Sequence, residues 1–315
     1  MKRGFTLIEI IMSIVIVGIL SAGILVAIKN LYIRAAKSTT ISSYSMTSQL
    51  VLDSLSSMLY NRVPSTLIGY NPSNGNFKSV YLIDNNFTVL EWIGMSVESF
   101  DRRDYSGFVD LDKSNRESLT LASYDINKSA IDDMLRRKFG SGISLSNDGI
   151  AVIFAGSFDT GGFIDADEFN DSFGWHGNNH SKIYTINDIN ESNITLDSKP
   201  DEIYEKYYFV DSAYAVARGA DIDKDASCIK DLNISSDKLD SSLFLFFNYR
   251  PWKGETFCAD PNGSKKDGNV TLLLNSVKGF EAGFVNDNIF FQLSMDGKIK
   301  GSQNRVKVSK QKVIF

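Results

Sequence analysis

The stretch MKRGFTLIEIIMSIVIVGIL, residues 1–20, begins a long apolar run that is expected to form a helix. One ionisable residue, Glu9, lies at the front of this run. From Ile10 to Ile28 the chain has no charged residue. Nineteen such residues form about 28 Å of helix, enough to cross a bilayer core of about 30 Å. A carboxylate at membrane depth is costly, so Glu9 is a candidate functional residue that needs a cationic partner. The alternative is an interfacial glutamate whose carboxylate reaches the lipid headgroups.

The residues around the apolar run predict its orientation. Lys2 and Arg3 precede it, so the positive-inside bias keeps the N-terminus cytoplasmic and exports the chain from about residue 30 onward. No second stretch approaches membrane length. The run itself has three interpretations: a cleaved secretory signal with its site near Ser21 or Ala27, a plain signal anchor, or a segment defined by the hexapeptide GFTLIE.

The third interpretation starts from the leader MKRG, followed by FTLIE and about twenty apolar residues. This pattern resembles the type IV prepilin signature of type IV pilins, type II secretion pseudopilins and competence pseudopilins. The resemblance implies that a prepilin peptidase cuts after Gly4 and methylates the new amine of Phe5. It also implies that Glu9 meets the N-terminal amine of a neighbouring subunit during assembly.

The same resemblance implies a location and a set of partners. The chain would lie in the bacterial inner membrane as a single-pass protein with a periplasmic body, until it assembles into a pilus or pseudopilus. Its partners would be the prepilin peptidase, other minor pilin or pseudopilin subunits, the inner-membrane assembly platform and membrane lipid. The signature does not distinguish between pilus, type II secretion and DNA-uptake systems.

The helix is expected to continue beyond the membrane. No proline occurs between Lys29 and Tyr60, apolar residues recur at helical spacing, and Pro64 follows as a stop. We therefore predict one helix from Thr6 to Tyr60, about 80 Å long. The predicted divisions are a leader at 1–4, a transmembrane helix at 5–28, its amphipathic continuation at 29–61, and an extracytoplasmic β-rich globular domain at 62–315.

Beyond Pro64 the hydrophobic pattern shortens to the period of β-strands. A short helix is predicted at Ser129–Phe139, with Ser129 as its N-cap. The fold class is therefore α+β, with the long helix packed against a large antiparallel body. Strands are predicted at 79–83, 87–93, 118–124, 149–155, 207–217, 243–248, 270–274, 279–285, 289–294 and 305–314.

The size of the body favours a minor subunit. Residues 273–280 (LLNSVKGF), the strand after them and the terminal VKV strand resemble the C-terminal half of large minor subunits of the PilW and GspJ type. The apolar stretch also lacks the helix-kinking proline that major pilins often carry. A body of about 250 residues suits an initiation complex or filament tip better than a repeating shaft.

Two cysteines, Cys228 and Cys258, form a disulfide candidate. In an oxidising compartment the bridge would close a loop of about thirty residues and stabilise the fold by about 3 to 4 kcal/mol. The alternative is two unpaired thiols. The formal net charge is −5, and no run of basic residues is longer than the three that start at Arg136. Direct binding of nucleic acid is therefore not indicated.

Other clusters give weaker signals. His176 and His180 have the spacing of a zinc pair, but the glycine-rich segment around them favours a surface loop. Two acidic clusters are weak calcium candidates, and neither is a full EF-hand loop. They comprise Asp165, Asp167, Glu168 and Asp171 in the first, and Asp221, Asp223 and Asp225 in the second. Six acidic sequons resemble bacterial N-glycosylation acceptors, at Asn86, Asn127, Asn190, Asn193, Asn233 and Asn269.

No nucleotide-binding, hydrolase or kinase motif occurs, so no catalytic residue and no cofactor is assigned. Assembly is the expected activity. The rival from another class is a signal-anchored periplasmic enzyme or binding protein in which FTLIE is coincidental.

Overall fold

The computed structural model describes residues 6–82, 88–145, 149–157, 169–223, 226–230, 232, 234–258, 268–285, 288–299 and 301–314. Its first element is helix α1, Leu7–Tyr60, with Thr6 as N-cap and Asn61 as C-cap. At 54 residues it is about 80 Å long. The prediction of one uninterrupted helix ending at Tyr60 is confirmed.

The two halves of α1 have different surroundings. Up to Tyr32 every described residue is exposed, and the run from Leu7 to Ile28 is apolar on nearly all sides. The second half buries Leu52, Leu55 and Leu59, whose spacing of three and four residues places them on one face of the helix. This face packs against the body, so only the second half of α1 belongs to the folded domain.

The larger sheet contains eleven strands of the described chain, and all its strand pairs are antiparallel. Its order is β2-β1-β3-β9-β6-β7-β8-β5-β4, with β10 also paired to β9 and β11 to β10. The strands are β1 Ile68–Asn71, β2 Asn76–Ser79, β3 Val89–Met95, β4 Asp110–Asn115, β5 Thr120–Ala122, β6 Ala151–Phe154, β7 Tyr184–Ile189, β8 Asn193–Leu196, β9 Tyr207–Arg218, β10 Leu243–Tyr249 and β11 Asn269–Leu274.

A second sheet of three antiparallel strands covers the C-terminal half of α1. It consists of β12 Val277–Val285, β13 Asn288–Lys298 and β14 Arg305–Ile314, in that order. Alternate β13 side chains, among them Phe291 and Leu293, are fully buried in the cluster that also contains the buried face of α1. The predicted α+β fold class is confirmed.

Short helices complete the body: α2 Val97–Asp101, α3 Lys128–Phe139, α4 Ser227–Lys230 and α5 Ser236–Leu239. Helix α3 packs Ile131, Met134 and Leu135 into a second core. The prediction of Ser129 as the N-cap of this helix is wrong. Asn127 is the cap, because its side chain accepts a hydrogen bond from the Ala130 amide at 3.1 Å.

Most predicted strands are present, but the prediction at 79–83 is wrong. Residues Val80–Leu82 form a 3-10 turn, and the strand of that region, β2, ends at Ser79. The sequence pattern also missed β1, β4, β7 and β8.

Candidate assembly site at the N-terminal helix

The first turn of α1 holds Glu9 in a reciprocal capping arrangement with Thr6. Glu9 Oε2 accepts hydrogen bonds from the Thr6 backbone amide at 2.9 Å and from Thr6 Oγ1 at 2.8 Å. In return, Thr6 Oγ1 accepts from the Glu9 amide at 3.4 Å. Such a capping box satisfies backbone donors that otherwise lack partners at a helix start. Glu9 therefore has a local structural role within its own chain.

The surroundings of Glu9 are apolar and uncovered. The side chains of Leu7, Ile8 and Ile10 are all exposed in the isolated chain. An 18-residue window of α1 has a mean hydropathy of 2.8, and none of it is buried by the body. By length and composition this helix can cross a membrane. The carboxylate thus stands at the N-terminal end of a surface that the folded domain leaves without a protein partner.

Comparison with known families then decides the nature of this segment. Residues 1–25 match the prokaryotic N-terminal methylation motif. The matched segment, the type IV pilin signal, includes Gly4, Phe5 and Glu9, of which Gly4 and Phe5 lie outside the described residues. No curated protein and no solved structure matched the chain.

The motif supports a type IV pilin-like precursor, and it points to a structural subunit rather than an enzyme. Together with the apolar α1 it suggests a single-pass, membrane-anchored protein.

The body contains a disulfide between Cys228 and Cys258, with a Cα–Cα distance of 5.7 Å. Cys228 lies in α4 and is buried, and Cys258 packs against the same hydrophobic core, which also contains Phe257 and Trp252. The disulfide therefore links α4 covalently to the segment that follows β10.

Replacing both Cys228 and Cys258 by serine is expected to lower the free energy of unfolding by about 3 to 4 kcal/mol, because the unfolded chain then loses its cross-link. Denaturant unfolding of the two proteins measures the difference. Peptide mapping of the exported protein without reductant should recover a peptide pair joined through these cysteines. Two free thiols in the exported protein would contradict the prediction.

The segment around His176 is a short 3-10 turn that continues into the exposed residues Gly177 to Asn179, but the His176 side chain turns inward. Its side chain is only 14% exposed, and its Nε2 lies 2.8 Å from Oε1 of the buried Glu91. The Tyr70 ring stacks on the imidazole with a centroid distance of 3.7 Å. Tyr249 donates a hydrogen bond to the other Glu91 oxygen at 2.8 Å. The contacts with Glu91 and Tyr70 thus hold the His176 side chain in a largely buried position.

Only some of the metal candidates can be placed, because several lie outside the described residues. Among the described residues, no group of three or more His, Cys, Asp or Glu side chains is placed to hold a metal ion. His180 Nδ1 lies 3.1 Å from the carbonyl oxygen of Ile183. In the second acidic cluster Arg218 binds both carboxylate oxygens of Asp221, while Asp225 lies outside the described residues. Asp165, Asp167 and Glu168 of the first cluster also lie outside them.

The sequon asparagines occupy different environments. Asn127 caps α3, and the Asn190 side chain accepts hydrogen bonds from the amides of Ser192 and Asn193 in the β7–β8 turn. Asn269 is exposed at the start of β11. Asn86 and Asn233 lie outside the described residues. The turn roles of Asn127 and Asn190 explain these two asparagines by local structure alone.

A buried charged cluster on the central strand was missed by sequence reasoning. Asp211, on β9, is fully buried, and Lys138 Nζ lies 3.1 Å from its Oδ2 and 2.9 Å from Glu98 Oε2. Burial raises the pKa of the Asp211 carboxyl, an effect that the Lys138 ammonium opposes. The only signal in the sequence is one acidic residue inside the otherwise apolar strand YYFVDSAYAVA.

Proposed function

We propose that this chain is a minor type IV pilin-like or pseudopilin subunit that acts in the initiation or at the tip of a pilus, type II secretion or DNA-uptake filament. The observation that carries the proposal is the continuity between the methylation motif and α1. The motif at residues 1–25 runs directly into one unbroken helix whose apolar half is left uncovered. A helix of this kind is able to leave lipid for the interior of a helical filament.

In the proposed mechanism, the prepilin peptidase cuts after Gly4 and methylates the amine of Phe5. Glu9 already reaches the Thr6 amide at 2.9 Å, one residue away from that new amine. On assembly the Glu9 carboxylate pairs with the amine of a neighbouring subunit. A desolvated charge pair of this kind fixes register more reliably than it adds stability.

The minor role is supported by the size of the body and by the absence of proline within α1. Its partners would be other minor subunits, the inner-membrane assembly platform and the surrounding lipid. Before assembly, the subunit would be anchored in the inner membrane with its body in the periplasm. The bulk of the body favours an amine donor from a different subunit over one from a second copy.

Intact-protein mass spectrometry tests the processing step. We expect the mature protein to have the mass of residues 5–315 with one added methyl group, and a strain without prepilin peptidase to retain residues 1–4. A mature protein that begins at Met1, or one cut near Ala27, would instead support the signal-anchored or secreted alternative.

A further inference from the structure

Charge is strongly segregated along the molecule. The segments 10–52 and 297–314 contain no Asp or Glu, although the chain has 38 of them. Residues 53–296 carry 37 Asp and Glu against 22 Lys and Arg. The cations of the two segments are Lys29, Arg34, Lys37, Lys298, Lys300, Arg305, Lys307, Lys310 and Lys312. A negative body is thus joined to two positive segments that lie far apart in sequence.

The fold brings these two segments together beside the apolar half of α1. The β13–β14 hairpin runs along the helix: Lys312 pairs with Asp53, a Cβ on Gly297 would overlap the Tyr44 ring, and Gly301 lies against Tyr32. The turn of the hairpin is closed by a hydrogen bond from the Ile299 amide to the Asn304 carbonyl at 3.0 Å. The hairpin therefore points its turn toward the membrane-spanning part of the chain.

The hairpin turn lies close to the point where α1 would leave the bilayer. Tyr32 is four residues beyond Ile28, which is about 6 Å along the helix axis. Side chains on a helix tilt toward its N-terminus, so Lys29, Arg34 and Lys37 reach back toward the headgroups. Electrostatic attraction to a charged surface acts over a Debye length of about 10 Å.

We name three exposed cations of α1 the basic collar: Lys29, Arg34 and Lys37. In the part of the chain that the structure describes, none of these three cations forms an ion pair with a carboxylate, whereas Arg305 on the hairpin pairs with Asp296 at 2.8 Å. Lys298 lies directly across the hairpin from Arg305, and Lys307 lies across from Asp296. The collar therefore presents positive charge within about 14 Å of the end of the uncharged span, whereas the hairpin cations lie near Gly297 and Tyr44, further from the bilayer.

We propose that the basic collar binds the anionic phospholipid headgroups of the leaflet from which α1 emerges, and so holds the body against the membrane before assembly. This inference rests on the membrane anchoring in the proposed function. The occupant is argued from continuity, because the collar begins one residue after the uncharged span, and from charge, because an anionic leaflet attracts basic segments next to a membrane span.

The distribution of cations on either side of the span supports the same conclusion. Lys2 and Arg3 lie on the proposed cytoplasmic side, whereas Lys29, Arg34 and Lys37 follow the span on the exported side. The positive-inside bias normally places the excess of Lys and Arg on the cytoplasmic side. The three cations on the exported side run against that bias, and anionic headgroups of that leaflet would offset their cost.

Amide hydrogen exchange on the full-length chain in nanodiscs tests the proposal. We compare nanodiscs of phosphatidylcholine with nanodiscs that also contain phosphatidylglycerol, and follow the amides of residues 301–307. Exchange is expected to be slower in the anionic nanodiscs, and added salt should reverse the protection. The double variant K29Q/K37Q is expected to lower the ratio of membrane-bound to free hairpin turn roughly fivefold for each cation removed.

The matched control is K206Q/K238Q, which removes two exposed lysines from the body and should keep the protection. Equal exchange in both lipids, or equal loss in the control, would overturn the proposal. Protection that appears only when a partner subunit is added would overturn it in favour of a protein ligand. Failure of processing after Gly4 would refute the proposed function instead, since this experiment needs only an anchored helix.

Discussion

Replacing Glu9 by glutamine is expected to leave export and processing intact and to remove the chain from filaments. Glutamine at this position still completes a capping box with Thr6, so the helix start is preserved. The glutamine side chain is uncharged, so it cannot neutralise the N-terminal amine of a neighbouring subunit. An unpaired charge at membrane depth costs about 2.5 to 3.5 kcal/mol on insertion scales, so incorporation should fall about a hundredfold. Immunoblots of membrane and filament fractions measure the incorporation of the variant.

Two further variants separate capping from pairing. Thr6→Val removes the hydroxyl of the cap and keeps the Glu9 carboxylate, so we expect it to assemble. Glu9→Val removes both functions and should fail like Glu9→Gln. Normal incorporation of Glu9→Gln, together with failure of Thr6→Val, would show that Glu9 serves only to cap α1.

Replacing Lys138 by methionine is expected to destabilise the body by about 3 to 5 kcal/mol, because it leaves the buried Asp211 carboxylate without its cation. Urea unfolding in detergent, followed by tryptophan fluorescence, measures the change. The matched control is Lys128→Met, which breaks an exposed pair with Asp188 and should cost less than about 1 kcal/mol. The double variant Lys138→Met/Asp211→Leu should recover most of the stability, since no unpaired buried charge then remains at this position.

The destabilisation by Lys138→Met should depend on pH in a defined direction. Burial raises the pKa of the Asp211 carboxyl, and loss of the ammonium raises it further. A group whose pKa is higher in the folded state binds its proton more tightly there, so its contribution to stability is lost as pH rises. The difference between variant and wild type should therefore shrink as the pH falls from 7 toward the ordinary pKa of an aspartate carboxyl, about 4. A constant difference would show that Asp211 is not the cause.

The long helix could be predicted because its determinants are local. An apolar run, a helical stripe that continues it, and a proline after Tyr60 all lie within one stretch of sequence. The strands β4, β7 and β8 were missed for the opposite reason. Their sequences, DLDKSN, YTINDI and NITL, are rich in polar residues, and they are strands because their backbones pair within the larger sheet.

The N-terminal motif could be recognised for the same local reason, since the match to it lies within one continuous stretch, residues 1–25. Contacts between residues that are far apart in sequence could not be predicted. Lys138 lies 73 residues from Asp211, and His176 lies 85 residues from Glu91. The linear sequence shows no basic arm, and only the β13–β14 hairpin brings the C-terminal cations beside those of α1.

The contacts of Tyr32 and Tyr44 with the hairpin, and of Leu52 to Leu59 with the core, fix the body rigidly on α1. Since α1 is one continuous helix, a rotation of its N-terminus about the helix axis turns the body by the same angle. A slip of one residue in the pairing of Glu9 would advance the subunit by about 1.5 Å and turn the body by about 100° about the helix axis. In the proposed assembly, the pairing of Glu9 would therefore set which side of the distant domain faces its neighbours.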